Sequence, residues 1–176
     1  MRRLVITAVV TLAVFVFVVG LTIGAQDRYS LKVPNGLAFS EFKGYDAWQT
    51  IAPSYTDEGV KAILGNVVMI KAYGAGVPDN GKSVPDGAMM AKIEWSKKSD
   101  DVSPYAVTVP DKLKSVSFMV KDSKRFAASG GWGYAQFTYD AASDTFKPSV
   151  TGSACGYTCH TRVKARDFVF TRYGRR

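Results

Sequence analysis

Three side chains near the C-terminus declare their chemistry most openly: Cys155, Cys159 and His160, in the run Cys155-Gly156-Tyr157-Thr158-Cys159-His160. Two cysteines followed at once by a histidine form the pattern for covalent haem attachment. Each thiol adds to a haem vinyl group as a thioether, and the adjacent imidazole ligates the iron. The usual motif places two residues between the cysteines; this chain has three. Residues three or four apart share one helical face, so the added residue keeps both thiols on the same side of a helix. His160 is the only histidine in the chain, which makes it the candidate iron ligand. Two other uses of these residues stay open. Cysteines four apart on a helix are near enough for a disulfide, giving a haem-free domain with a Cys155–Cys159 staple. That staple leaves the histidine unexplained. A zinc site has three ligands here where structural zinc takes four, with Asp167 folding back as the fourth.

The elements that position these residues begin with the N-terminus. Met1-Arg2-Arg3 is a short basic segment, Leu4 to Gly20 is apolar except for Thr7 and Thr11, and Ile23-Gly24-Ala25 ends in small residues. That is the layout of a signal peptide spanning 1–25, with an uncleaved N-terminal anchor as the alternative. Either way the rest of the chain is exported, and in a bacterium the destination is the periplasm, where c-type haem is attached. Residues 26–176 are long enough for one domain with one core. The net charge of +8 falls by two when Arg2 and Arg3 leave, and much of the remaining excess is local. Arg162, Lys164, Arg166, Arg172, Arg175 and Arg176 crowd the C-terminus. They read as a docking face for an acidic redox partner, as partners for haem propionates, or as a solvated tail. An exported chain without a binding motif argues against nucleic acid.

Along the domain, Gln26 to Phe39 reads as an extended arm with a loop at Pro34-Asn35-Gly36. Ser40 to Thr50 reads as a short amphipathic helix, with Phe42, Tyr45 and Trp48 at three-residue spacing. Asp57 to Leu64 reads as a helical turn ended by Gly65-Asn66. Val67 to Tyr73 is β-branched and apolar and reads as a strand, as do Ala88 to Trp95, Val116 to Asp122 and Gly133 to Tyr139. The stretch 74–87 is rich in Gly, Pro, Asp and Asn and reads as a loop. Ser96 to Pro110 and Ser123 to Gly131 are connections, and short connections favour antiparallel pairing. The haem motif is expected on a short C-terminal helix, followed by a final strand or extended segment over Asp167 to Arg172. The fold class is α+β: a mainly antiparallel β-sheet with a few short helices.

Several blocks, in order, resemble the cytochrome P-460 family: Tyr45-Asp46-Ala47-Trp48, Leu64-Gly65-Asn66, Val84-Pro85-Asp86-Gly87, Ala91-Lys92-Ile93-Glu94, Phe118-Met119-Val120-Lys121-Asp122, Gly131-Trp132-Gly133-Tyr134, Cys159-His160 and Asp167-Phe168-Val169-Phe170-Thr171. The departure is the cysteine spacing, which leaves open whether one thioether forms or two. The resemblance implies one covalent haem c per chain, five-coordinate iron with an open distal side, and a homodimer. It implies one of two activities on small molecules. P-460 enzymes carry a lysine-to-haem cross-link and oxidise hydroxylamine; the related cytochromes c′-beta bind nitric oxide or carbon monoxide in an apolar pocket. Whether this chain is an enzyme, and so a haem-dependent oxidoreductase, stays open between them.

The residue inventory also favours an open iron. With His160 used, a sixth protein ligand falls to Met69, Met89, Met90 or Met119. Each of these also reads as an ordinary core residue, and His/Met electron transfer is the alternative function. In the strand from Ala88 to Trp95, Met90, Lys92 and Glu94 share one face. Met89, Ala91, Ile93 and Trp95 share the other, which is the more apolar and is expected to be buried. Lys92 is the candidate distal lysine and cross-link donor, with Lys71 second; the plainer reading is an ion pair to Glu94 or to a neighbouring strand. Glu94 and Asp86 are the candidate bases for hydroxylamine oxidation, or else surface carboxylates. Phe39, Phe118, Trp132 and Tyr134 are candidates for an apolar lid over the iron, or else core. Gly130-Gly131-Trp132-Gly133 permits close backbone approach to the haem, or a tight turn. Lys121 and Asp122 read as a strand-end pair. The second nitrogen of His160 needs an oxygen acceptor, which Asp167 or, preferably, a backbone carbonyl supplies.

Overall fold

The computed structural model describes residues 25–34 and 36–174. The signal-peptide reading of 1–25 falls almost wholly outside them. No helix among the described residues is long and apolar enough to cross a membrane.

Six strands form one antiparallel sheet in sequence order: β1 (Gln49–Thr56), β2 (Gly59–Gly65), β3 (Met89–Asp100), β4 (Val107–Lys121), β5 (Trp132–Asp140) and β6 (Thr145–Pro148). Among the described residues two α-helices accompany it, α1 (Val67–Gly74) and α2 (Gly152–His160), with several short 3-10 turns. The α+β reading therefore holds, and the run Cys155 to His160 falls on a C-terminal helix.

Four local expectations are corrected. The Asp57 to Leu64 turn is strand β2: Thr56 pairs with Gly59, so Asp57-Glu58 is a tight hairpin turn and the chain reverses at once. The expected strand at Val67 to Tyr73 is helix α1. Asn66 caps it by accepting from the Met69 amide at 3.0 Å, and Met69, Ala72 and Tyr73 fall on one buried face. The expected helix over Ser40 to Thr50 is two 3-10 turns, Phe39–Phe42 and Tyr45–Ala47, interrupted where Gly44 turns left-handed, and strand β1 begins at Gln49. The stretch from Ser96 to Pro110 is mostly the outer part of the β3–β4 hairpin rather than a connection. The segment after Asp167 pairs with no strand; the Arg166 guanidinium donates to the carbonyls of Val169 and Phe170, and the Tyr73 hydroxyl donates to that of Thr171.

Both faces of the sheet are covered. On one, the aligned rows Leu64–Ala91–Phe118–Ala135 and Ala62–Ile93–Val116–Phe137 meet the N-terminal arm. Phe39 is the hub there, with ring centroids 5.3 Å from Phe118, 4.8 Å from Phe137 and 5.3 Å from Phe146, while Phe42 stacks on Phe118 at 4.1 Å. The arm is also held at its start. The Gln26 side-chain amide donates to the Phe146 carbonyl and accepts from its N–H, extending the ladder at the β6 edge. This is the face expected to be apolar and buried, and it is filled. The other face carries Gly65–Met90–Met119–Tyr134 in one row and Ile63–Lys92–Ser117–Gln136 in the next. Helix α2 and the C-terminal segment cover it only in part.

Candidate haem-binding site

Helix α2 packs across β5, and a glycine makes the contact possible. A Cβ on Gly156 would lie 2.8 Å from Cβ and Cγ of Tyr134, so the helix backbone rests directly on that ring. The approach turns Cys155, Gly156, Cys159 and His160 toward one cavity of about 780 Å³, walled on the sheet side by Ile63, Met90, Lys92, Ser117, Met119 and Gln136. Cofactor and ligand sites commonly enclose roughly 300–1,000 Å³. Both cysteines are free and exposed, and their four-residue spacing on a helix keeps them on the cavity side as a pair.

His160 is held from behind. Its Nδ1 lies 2.6 Å from the Phe168 carbonyl oxygen. A carbonyl can only accept, so Nδ1 carries the proton and Nε2 is left with its lone pair. Its ring is flanked by Tyr134 at 5.1 Å and Phe170 at 4.9 Å, which fix its plane. Burial holds its pKa below the ordinary histidine value; the Phe168 bond works against that shift and the charge of Lys92 works with it. The neutral imidazole is the form that ligates a metal. The carbonyl, rather than Asp167, is thus the acceptor, as preferred above. Asp167 is taken by Lys121, at 2.8 Å and 2.9 Å, and by the Val84 amide at 2.7 Å. That commitment removes it as a fourth zinc ligand. No group of three or more His, Cys, Asp or Glu residues fit to hold a metal occurs among the described residues.

Lys92 lines the cavity. Its pKa is lowered by burial, and Glu94 opposes part of that shift. The ion pair to Glu94 exists but is loose, at 3.9 Å, while Lys114 approaches the same carboxylate at 3.3 Å. Glu94 itself is buried one row away and does not line the cavity. Neither does Asp86, which accepts from the Ser123 amide and hydroxyl in a surface loop, nor the exposed Lys71. Of the methionines, Met90 and Met119 line the cavity, whereas Met69 is on the buried face of α1 and Met89 packs on the closed face. The expected lid separates in the same way. Tyr134 reaches the cavity and its hydroxyl pKa is pushed up by burial. Phe39 and the Phe118 ring belong to the closed face, and Trp132 is fully buried in the core beside Lys121. The glycine run makes its close approach to Phe168, not to the cavity: a Cβ on Gly130 would lie 2.3 Å from that ring.

Sequence reasoning did not single out Ile63, Ser117, Gln136 or Phe170 as site residues. Strand parity could have found the middle pair, since Ser117 and Gln136 lie two residues from Met119 and Tyr134 on the same face. Of the terminal basic residues, Arg166 is a staple to Asp79 at 2.7 Å, and Arg172 lines the cavity.

The arrangement fits a c-type haem: two reachable thiols on one helical face, an imidazole with its outer nitrogen free, and a cavity of the right size with an apolar wall. Residues 42–171 match the family model described as Cytochrome P460, and the chain belongs to that family. Its members are c-type haem proteins and are generally exported. No curated protein matches the chain.

Proposed function

We propose that the protein is an exported, monohaem c-type cytochrome whose iron is ligated by His160 alone and whose open side binds a small nitrogen species, nitric oxide being favoured. The observation that carries this reading is the fixed His160 tautomer, with Nδ1 given to Phe168 and Nε2 left free on a ring that lines the cavity. Bound haem supplies a redox-active iron with a coordination position for the ligand. The residues do the rest. Cys155 and Cys159 anchor the group, while Ile63, Met90 and Met119 keep the cavity wall apolar, which favours small neutral ligands over water. Lys61 and Arg172 bring positive charge to the cavity, suited to propionates. Met90 and Met119 lie buried within the core cluster, which supports their reading as packing rather than as iron ligands.

Lys92 favours a second reading, oxidation of hydroxylamine. It is a half-buried ammonium that gives up its proton more readily than a free lysine, so it can serve as a proton relay or as the cross-link donor. The carboxylates expected as bases do not line the cavity, which is why ligand binding is placed first. The projecting β3–β4 ribbon supports a homodimer. Its outer strands pair only with each other, and the loop joining them carries Val102 and Tyr105, 91% and 78% exposed; a bare two-stranded ribbon is marginal in water.

The deciding experiment is the absorption spectrum of the reduced protein, made in a host that attaches c-type haem, with its intact mass. A high-spin c-type spectrum that shifts with nitric oxide is the expected result. A strongly red-shifted Soret band, with a third protein–haem bond lost in Lys92→Ala, would instead establish the hydroxylamine-oxidising reading. A low-spin spectrum indifferent to nitric oxide would point to His/Met ligation, and a mass without haem to a disulfide-stapled domain.

A further inference from the structure

The carbonyl that holds His160 belongs to an improbable piece of backbone. Asp167 and Phe168 have φ of 47° and 64°, two consecutive left-handed residues without a glycine. A bulky side chain in that region is a true outlier and persists only where its surroundings over-determine it. Here they do. Lys121, its side chain 7% exposed, donates to both carboxylate oxygens of Asp167 and, at 3.0 Å, to the Gly130 carbonyl. Gly130 is the residue against which the Phe168 ring is seated. One ammonium therefore ties the residue before Phe168 to the glycine under its ring. The Val84 amide fixes the remaining direction by donating to Asp167 Oδ2.

We propose that Lys121 and Asp167 are positioning residues for the proximal histidine: the pair locks the left-handed turn, the turn aims the Phe168 carbonyl, and the carbonyl sets the orientation and basicity of the His160 ring. A mere core ion pair would need no such chain of contacts, since buried pairs are weak sources of net stability. Outer partners of a ligating histidine tune the metal through the ring's second nitrogen. The inference rests on His160 being the iron ligand.

The test uses haem-loaded protein carrying Asp167→Asn, or Lys121→Met together with Asp167→Asn. Asparagine tolerates the left-handed conformation and keeps an acceptor for Val84, and the double variant leaves no unpaired charge. Circular dichroism and haem staining check the fold and attachment. The readouts are the iron–histidine stretch of the ferrous protein by resonance Raman and the reduction potential. A less constrained carbonyl makes the imidazole a weaker donor, so the stretch is expected to fall and broaden and the potential to rise, with thioether content unchanged. Folded, haem-loaded variants with the unaltered stretch and potential would overturn the proposal. So would failure of both variants to fold, which would assign the pair to the core. Absence of an iron–histidine band in the unmodified protein would overturn it together with the ligation reading.

Discussion

The two faces of this sheet are built from the same strands and differ in almost everything else. On the closed face, alternate residues of β3 to β5 meet an arm bearing Phe39, Phe42 and Tyr45, and the rings interlock. On the open face, the residues between them include Lys92, Ser117 and Gln136, and the cover is a short helix resting on a glycine. A side-chain period of two lets one strand serve both purposes. Stability can be concentrated on one side, which leaves the other free to keep a hole and a half-buried charge.

Breaking the closed face should cost most. Phe118→Ala removes a ring that stacks on Phe42 and touches Phe39 and Tyr45, and the expected loss is about 3–5 kcal/mol. Denaturant melts check the loss, and haem bound per folded molecule should not change. A matching fall in haem content would show that the two faces are not separable. Next comes the contact between helix and sheet on the open face. Gly156→Ala pushes α2 off Tyr134 and should cost roughly 1–3 kcal/mol. Unlike the first change it should alter the haem spectrum, because both cysteines and His160 travel with the helix.

Removing the charge from the open face should do the opposite. Lys92→Met relieves a desolvated ammonium whose folded pKa is lowered, so the haem-free protein should gain stability at neutral pH. The gain should stay under about 1 kcal/mol, because the side chain is 38% exposed and water screens it. A loss of stability would mean that the pair with Glu94 outweighs burial. The smallest effect is a pH slope. His160 has a folded pKa below its unfolded value of about 6.5, so the unfolded chain binds the extra proton first. Stability of the haem-free protein should be complete above about pH 6.5 and decline as pH falls toward the lowered folded value. His160→Gln should flatten that segment of the curve.

What could be read in the sequence follows from how local each signal is. The Cys155–His160 motif was legible because its three reactive residues fall within six positions and their chemistry is shared by few other patterns. Strands β3, β4 and β5 were legible from alternation. Helix α1 was not, because Val67, Val68 and Ile70 mimic a strand while the deciding signal is the cap at Asn66. Strand β2 was lost because Val60 to Leu64 satisfies helical and extended spacing alike, and only its pairing with β1 and β3 decides. The division of the aromatics was legible as parity along β4 and β5, but the position of Phe39 depends on where the arm docks. The link from Lys121 to Asp167 joins residues far apart in sequence, and nothing near either announces it.

The sheet order, in which every strand lies beside its predecessor, has a bearing on assembly. A meander can grow strand by strand as the chain emerges, since each strand pairs with its neighbour in sequence and only the 66–88 connection, which holds α1, is long. The sheet half of the cavity then exists before α2 is added, and the cysteines are among the last residues to find their place. The final closure is made by Arg166, by Tyr73 on Thr171 and by the Tyr73–Tyr173 stack at 5.3 Å. Until those contacts form, the thiols hang from an unlatched tail beside a finished wall, open to whatever machinery delivers and joins the haem.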